Sequence, residues 1–105
     1  TAPSTGRYLL SGNIRISGFD GNEDHCMMKI VTSNRTYTDM IAHTDLVSNS
    51  HRTFRLTIVA DMDADDTANM TFYGMGSASN ILDIDGQTGT SPVESATYFS
   101  GCLIA

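Results

Sequence analysis

The clearest structural signal in the sequence is the stretch Phe54-Arg55-Leu56-Thr57-Ile58-Val59. Large apolar residues stand at every second position from Phe54 to Ile58, and Arg55 and Thr57 stand between them. A period of two is typical of a β-strand with one buried face, whereas a helix repeats its apolar residues every three or four positions. The stretch therefore predicts a β-strand.

Five further stretches have strand-like patterns, and short polar segments rich in Ser, Thr, Asn, Asp and Gly separate them. They are residues 8–16, 25–32, 36–44, 68–75 and 97–105. No stretch has helical periodicity, and 105 residues suit one domain. Short strands punctuated by turn residues predict an all-β antiparallel sandwich or barrel that occupies residues 1–105 as a single domain.

The charge balance argues against several classes of partner. Six Lys and Arg residues stand against twelve Asp and Glu residues, for a formal charge of −6. An acidic chain is repelled by phosphate backbones and by anionic lipid surfaces, so we expect no nucleic-acid partner. No apolar run approaches the roughly 20 residues that a membrane-spanning helix needs, so we expect no membrane insertion.

The last stretch, residues 97–105, is apolar on both faces, with Tyr98 and Ile104 on one side and Phe99 and Leu103 on the other. A strand of this kind belongs in the middle of a structure or against a partner chain. Two cysteines, Cys26 and Cys102, lie in apolar stretches, and the residues favour buried free thiols over a Cys26–Cys102 disulfide.

Three stretches, in order, resemble the globular head shared by the complement first component and the tumour necrosis factor superfamily. Thr5-Gly6-Arg7-Tyr8-Leu9-Leu10-Ser11-Gly12 resembles the family's proline-glycine-x-tyrosine strand, with Thr5 in place of proline. The stretch from Phe54 to Tyr73 is similar to the family's hairpin, with Asp65-Asp66 where the family has glycine-aspartate. Ala96-Thr97-Tyr98-Phe99-Ser100-Gly101-Cys102-Leu103-Ile104 is similar to its terminal strand. The family's first strands have no counterpart.

The resemblance implies an antiparallel jelly-roll sandwich that packs as a homotrimer, with aromatic strands at the three-fold interface. The residues that it places at this interface are Tyr8, Leu10, Tyr98, Phe99 and Leu103. Phage decoration proteins and the tips of tail needles and fibres use similar jelly rolls. Few lysines and many Thr, Ser, Asn and Asp residues suit such a part. We therefore expect a virion structural protein, of the capsid-decoration or tail-fibre or needle-tip kind, whose partners are itself and capsid or tail proteins.

Two alternatives stay open. The first is a secreted, extracellular ligand-like or pattern-recognition head, and the second is a small enzyme. We do not expect an enzyme, because no nucleophile elbow, phosphate-binding loop or zinc-ligand spacing is present.

Two loops are candidates for contact with a particle protein or a host surface glycan or protein. They are residues 45–50 and 76–92, and the second is long for a small domain, which is typical of functional loops. Their candidate binding residues are Asn49, Asp83, Asp85 and Gln87.

The acidic segment Asp61-Met62-Asp63-Ala64-Asp65-Asp66 alternates carboxylates, and calcium binds several oxygen ligands. An EF-hand is excluded because Asp66 stands where that loop needs Gly and Phe72 where it needs Glu. A calcium site of another kind on Asp61, Asp63, Asp65 and Asp66 and a solvated hairpin turn both remain open, and Asp residues favour the turn. No other cofactor is expected.

Overall fold

The computed structural model of the chain describes residues 1–19, 21, 23–42, 51–75, 82–88 and 94–105. The strands are β1 (Gly6–Ser17), β2 (His25–Thr32), β3 (Thr36–Ala42), β4 (Arg52–Met62), β5 (Ala68–Met75), β6 (Asp83–Asp85), β7 (Gln87–Thr88), β8 (Glu94–Ser95) and β9 (Tyr98–Leu103). All of their pairings are antiparallel, and the described residues contain no helix. The predicted all-β class with antiparallel sheets is confirmed.

The long strands form two sheets. In sheet A, β1 lies in the centre, with β4 along one edge and with β9 and β6 along the other. In sheet B, β2 lies between β3 and β5. The short strands β7 and β8 pair with each other. The last long strand thus returns to lie beside the first.

The alternation of inward and outward side chains along the central strands builds the core, as the sequence predicts. In β1, Tyr8, Leu10 and Ile14 point inward and are buried. In β2, Cys26 and Met28 do the same from the opposite sheet. Residues directly opposite each other in an antiparallel pair share a face. The β4 residues opposite the inward residues of β1 therefore point to the same inward side of sheet A.

The core consists of two clusters at the two ends of the sandwich. We call the first end the aromatic half, because Phe54 packs there between Phe19 and Phe72, with ring centroids 6.5 and 5.0 Å away. We call the other end the terminus half, because Ala2 packs there and residues near both chain ends lie beside it. The buried residues of the aromatic half are Ile14, Ile16, Phe19, Cys26, Met28 and Phe54. Those of the terminus half are Ala2, Tyr8, Leu10, Ile30, Ala60 and Met62.

The predicted strands agree with the structure, with differences at their ends. β2 and β5 have the predicted bounds, while β1 and β4 extend further. β3 is described over Thr36–Ala42, and residues 43–44 of its predicted range lie outside the described residues. The predicted long loop at residues 76–92 holds the short strands β6 and β7. Among the described strands, β9 pairs only with β1, so the first of the two expected placements, the middle of the structure, is not seen there. The second, contact with a partner chain, stays a prediction.

Candidate functional site

The outer face of sheet A changes character from one end to the other. Strands β4, β1 and β9 bring side chains into rows of three, because opposite residues point to the same side. From the terminus half to the aromatic half, the rows are Val59–Leu9–Cys102, Thr57–Ser11–Ser100 and Arg55–Asn13–Tyr98. Four residues separate Leu9 from Asn13, which is about 13 Å along the strand. An apolar surface and a polar surface thus lie at opposite ends of the same face.

The apolar end carries large side chains in contact with solvent. Leu9 and Val59 are 38% and 52% exposed, and Cys102 beside them is exposed too. Ile104 lies next to this row, since its backbone N–H donates to the Arg7 carbonyl at 2.8 Å. We call Leu9, Val59, Cys102 and Ile104 the terminus patch.

The inward side of β9 is also open. Phe99 and Leu103 face the same side as the core residues of β1, yet they are 37% and 49% exposed. A groove of about 300 Å³ runs beside them, and Ala2 and Ala68 lie on its other wall. The terminal strand therefore exposes apolar side chains on both of its faces.

The end of the chain is nevertheless fixed. Arg7 N–H donates to the Ala105 carbonyl at 2.8 Å, which extends the pairing of β9 with β1. A Cβ on Gly6 would lie 2.6 Å from that same carbonyl oxygen, so a side chain there would push the C-terminus away. The exposure of β9 thus belongs to an ordered strand.

The polar end is built around one buried side chain. Asn13 is 6% exposed, and its Nδ2 donates to the Ala96 carbonyl at 2.8 Å. Its Oδ1 accepts from Arg55 Nε at 2.8 Å. Since the amide is held at both ends, it holds the exposed Arg55 guanidinium in a defined place.

A second network lies beside the first and is centred on Asp85. Its carboxylate accepts from Ser17 Oγ at 3.2 Å and lies 3.4 Å from Arg15 Nε and 3.1 Å from His51 Nδ1. Its backbone carbonyl accepts from Thr97 Oγ1 at 2.7 Å, and Thr97 Oγ1 in turn accepts from the backbone N–H of Arg15 at 3.1 Å. These contacts fasten the chain before β9 against β1.

Between the two networks lies a groove of about 260 Å³, which we call the arginine groove. It is lined by Asn13, Arg15, Thr53, Arg55, Ser95, Ala96 and Tyr98. Two guanidinium groups, two hydroxyls and one half-exposed phenol ring therefore meet at one place. Such a set can bind an anion or a hydroxylated ligand.

The predicted interface residues divide into two groups. Tyr98, Phe99 and Leu103 are exposed, as an interface requires. Tyr8 and Leu10 are 5% and 4% exposed within the single chain, and the Tyr8 hydroxyl donates to the Ser4 carbonyl at 2.6 Å. These two residues belong to the core of one chain, and the residue between them, Leu9, lies on the surface instead.

The predicted binding-loop residues do not form one cluster. Asp85 lies in the network beside the arginine groove, and Asp83 is exposed two residues earlier in β6. Gln87 lies in β7, and Asn49 lies outside the described residues. The sequence pattern does not single out Asn13, Arg15 or Arg55, because burial of a single Asn on the polar side of a strand leaves no signal in the alternation of apolar and polar residues.

The acidic turn uses its carboxylates for its own structure. Asp66 Oδ2 accepts from Asn34 Nδ2 at 2.7 Å and from the backbone N–H of Asp63 at 2.9 Å. Asp65 has a φ of 73°, in the left-handed region that Asp tolerates in turns. The hairpin-turn interpretation accounts for these contacts.

Two further carboxylates of that segment have partners: Asp61 Oδ1 lies 3.1 Å from Arg7 Nε in an exposed ion pair, and Asp63 Oδ1 accepts from Thr5 Oγ1 at 3.5 Å. In the part of the chain that the structure describes, no three acidic, His or Cys side chains come close enough to hold a metal ion. The calcium site stays a prediction, without a cluster of ligands to support it.

Both cysteines are free, as the sequence favours. Burial, and to a lesser degree the charge of Glu23, raises the pKa of Cys26 from 9.0 to about 11. Cys102 is exposed, so the expectation of burial is wrong for it, because β9 lies at the sheet edge.

Comparisons of the chain with protein-family models, curated proteins and solved structures found no match. Among the residues described, no helix is long and apolar enough to cross a membrane. The two ends of sheet A, which hold the terminus patch and the arginine groove, are the candidate functional surfaces.

Proposed function

We propose that the chain is a structural module of a virus particle that assembles as a homotrimer through its terminus half and binds a capsid, tail or host-surface partner. The observation that carries the proposal is the state of β9, a strand at the sheet edge with exposed apolar side chains on both faces. An exposed apolar edge strand invites pairing or packing with another chain.

The strand order supports the jelly roll that the sequence resemblance implies. After β1, the chain crosses to sheet B for the β2–β3 hairpin, returns to sheet A with β4, and crosses again with β5. Finally, β9 returns by a long connection to lie beside β1. Return of a late strand beside the first is typical of Greek-key and jelly-roll connections.

A second copy of the chain is the partner that the charges favour at the terminus patch. Two acidic chains of formal charge −6 repel each other unless their contact surfaces are uncharged. Leu9, Val59 and Cys102 carry no carboxylate, and the nearby Asp61 is paired with Arg7. Identical copies can therefore bury this patch without placing like charges against each other.

A trimer would suit the particle role because three copies present three identical binding surfaces. Once one copy has bound a shell or a host surface, the other two copies are held near their own sites at a high effective concentration. Three weak contacts can therefore give a high overall affinity. The place in a phage particle comes from the resemblance alone.

The test is the native mass by light scattering over a dilution series. We expect about three times 11.3 kDa for the wild type. The trimer of the double variant Leu9→Thr/Val59→Thr should dissociate at protein concentrations at least tenfold higher than those at which the wild-type trimer dissociates. Thr is chosen because it keeps a high β-strand propensity. The matched control is Met40→Thr/Tyr73→Thr, which changes two exposed apolar residues on the outer face of sheet B.

Two results would contradict the proposal. One is a wild-type chain that stays monomeric at all concentrations. The other is equal weakening by the control variant, which would mean that assembly does not use the terminus patch.

A further inference from the structure

We propose that the arginine groove binds the carboxylate of an acidic sugar, of the sialic or uronic acid type, at the surface of a host cell. This inference rests on the binding role proposed above, but it does not require the trimer. Asn13 of the groove lies about 13 Å along the strand from Leu9 of the terminus patch, and Tyr98 lines the groove and is not part of that patch. Where the chain is a trimer, the inference therefore requires a contact that uses the terminus patch and leaves Tyr98 uncovered.

Arg55 is the anion-binding group. Its Nε is engaged with Asn13, and among the described residues no carboxylate forms an ion pair with it. The terminal nitrogens of the guanidinium remain for a bidentate contact with a carboxylate, the geometry that makes such contacts strong. Because Asn13 fixes the guanidinium beforehand, the ligand does not bear the full entropy of ordering that side chain.

The local charge is positive although the chain is acidic. Arg15 and Asp85 neutralise each other, which leaves Arg55 as the excess charge of the groove. At physiological ionic strength the screening length is about 8 Å, so distant carboxylates repel a bound anion only weakly. A single carboxylate therefore suits the groove, whereas a nucleic acid needs several cations in a row.

The other lining groups favour a sugar over a peptide. Tyr98 is 50% exposed and offers a flat apolar wall, and the hydroxyls of Thr53 and Ser95 can exchange hydrogen bonds with sugar hydroxyls. A volume of about 260 Å³ lies just below the range of sites for drug-sized ligands. The space therefore suits one sugar unit.

The test is a titration followed by amide chemical shifts, with four sugars, acetate and an acidic peptide as probes. We expect 3′-sialyllactose or glucuronate to bind with a millimolar Kd, and to bind at least tenfold more tightly than lactose or glucose. Comparison of the two acidic sugars separates the sialic acid source from the uronic acid source. Acetate should bind more weakly than the preferred acidic sugar, because it lacks the ring that packs on Tyr98.

Three variants locate the site. Arg55→Gln should weaken binding of the acidic sugar at least tenfold. Arg55→Lys should weaken it nearly as much, because lysine lacks the paired N–H groups of a guanidinium that bind both oxygens of a carboxylate. The matched control Arg7→Gln removes an exposed arginine at the other end of the same face and should change the Kd less than twofold. Tyr98→Thr should weaken sugar binding and leave acetate binding unchanged.

Four results would overturn the inference. They are no binding of either acidic sugar, equal weakening by Arg55→Gln and Arg7→Gln, acetate binding as tight as sugar binding, and shifts in the groove caused by an acidic peptide in place of the sugars. The native mass of each sample is measured alongside. A monomer that binds the acidic sugar would contradict the trimer alone, and a trimer that binds none would contradict this inference alone.

Discussion

The two halves of the sandwich share their central strands and differ in what those strands place inside and outside. The aromatic half has the ring cluster around Phe54 inside and the arginine groove outside. The terminus half has smaller or more flexible side chains such as Ala2 and Met62 inside, and the terminus patch outside. The inward residues of both halves follow one alternating pattern, so the fold does not distinguish them. The outward residues do, and they carry the functional proposals.

The largest expected effect separates the two cores. Phe54→Ala removes a ring that is 2% exposed and packed between two others, so we expect a loss of roughly 3–5 kcal/mol in the free energy of unfolding. Met62→Ala should cost less, about 2 kcal/mol, because Met62 lines the open groove beside β9 and its loss need not leave a closed cavity. Urea unfolding of both variants measures the difference. An equal or larger loss for Met62→Ala would show that the aromatic half is not the more tightly packed one.

The second effect uses the cysteine in the core of the aromatic half. The pKa of Cys26 is about 11 in the folded chain and 9.0 ordinarily, so above pH 9 the unfolded chain loses this proton first. Stability is therefore retained below pH 9 and falls between pH 9 and 11, by roughly 1.4 kcal/mol per pH unit at most. Urea unfolding at pH 8, 9 and 10 tests this.

Cys26→Ala is the control for that series, because lysine and tyrosine side chains also titrate in this window. The wild type should lose more stability than Cys26→Ala as the pH rises. Cys102→Ala keeps the buried Cys26 thiol, so its stability should fall with rising pH in the way predicted from Cys26. Parallel pH profiles for the wild type and Cys26→Ala would contradict the prediction.

The sequence predicts the shared part of the two halves better than the part that differs. The bounds of β2 and β5 follow from alternation and flanking turn residues alone. Alternation places Leu9 on the face opposite Tyr8 and Leu10, but because all three are apolar it does not show which of them is left exposed on the surface. The groove could not be predicted at all, since Asn13 meets Arg55 through strand pairing and Ala96 through a contact 83 residues away along the chain.

The third effect compares two polar side chains on neighbouring rows of the outer face. Asn13→Ala leaves the partly buried Ala96 carbonyl and Arg55 Nε without their partner, so we expect a loss of roughly 1–3 kcal/mol. Ser11→Ala removes an exposed hydrogen bond of 2.9 Å to Thr57 and should cost under about 1 kcal/mol. Thermal or urea unfolding measures both. A cost for Asn13→Ala no greater than that for Ser11→Ala would remove the argument that Arg55 is held in place.

The smallest effect compares the ion pairs of the two halves by double-mutant cycles. Arg7 and Asp61 in the terminus half have side chains 66% and 83% exposed, so solvent and salt screen their attraction. Their coupling energy should fall near the low end of about 0.2–1 kcal/mol. Arg15 and Asp85 beside the groove are 32% and 26% exposed and belong to a network with Ser17, so their coupling should be the larger of the two.

Cycles built from Arg→Gln and Asp→Asn changes, measured at about 0.05 and 0.5 M salt, separate the two cases. The Arg7–Asp61 coupling should nearly vanish at the higher salt, while the Arg15–Asp85 coupling should persist because the pair is partly shielded from ions. Equal coupling energies with equal salt dependence would mean that the hydrogen-bond networks beside the groove do not hold their charged side chains in fixed positions. Arg55 would then have no more pre-organisation than any surface arginine, and the chemical contrast between the two halves would not extend to rigidity.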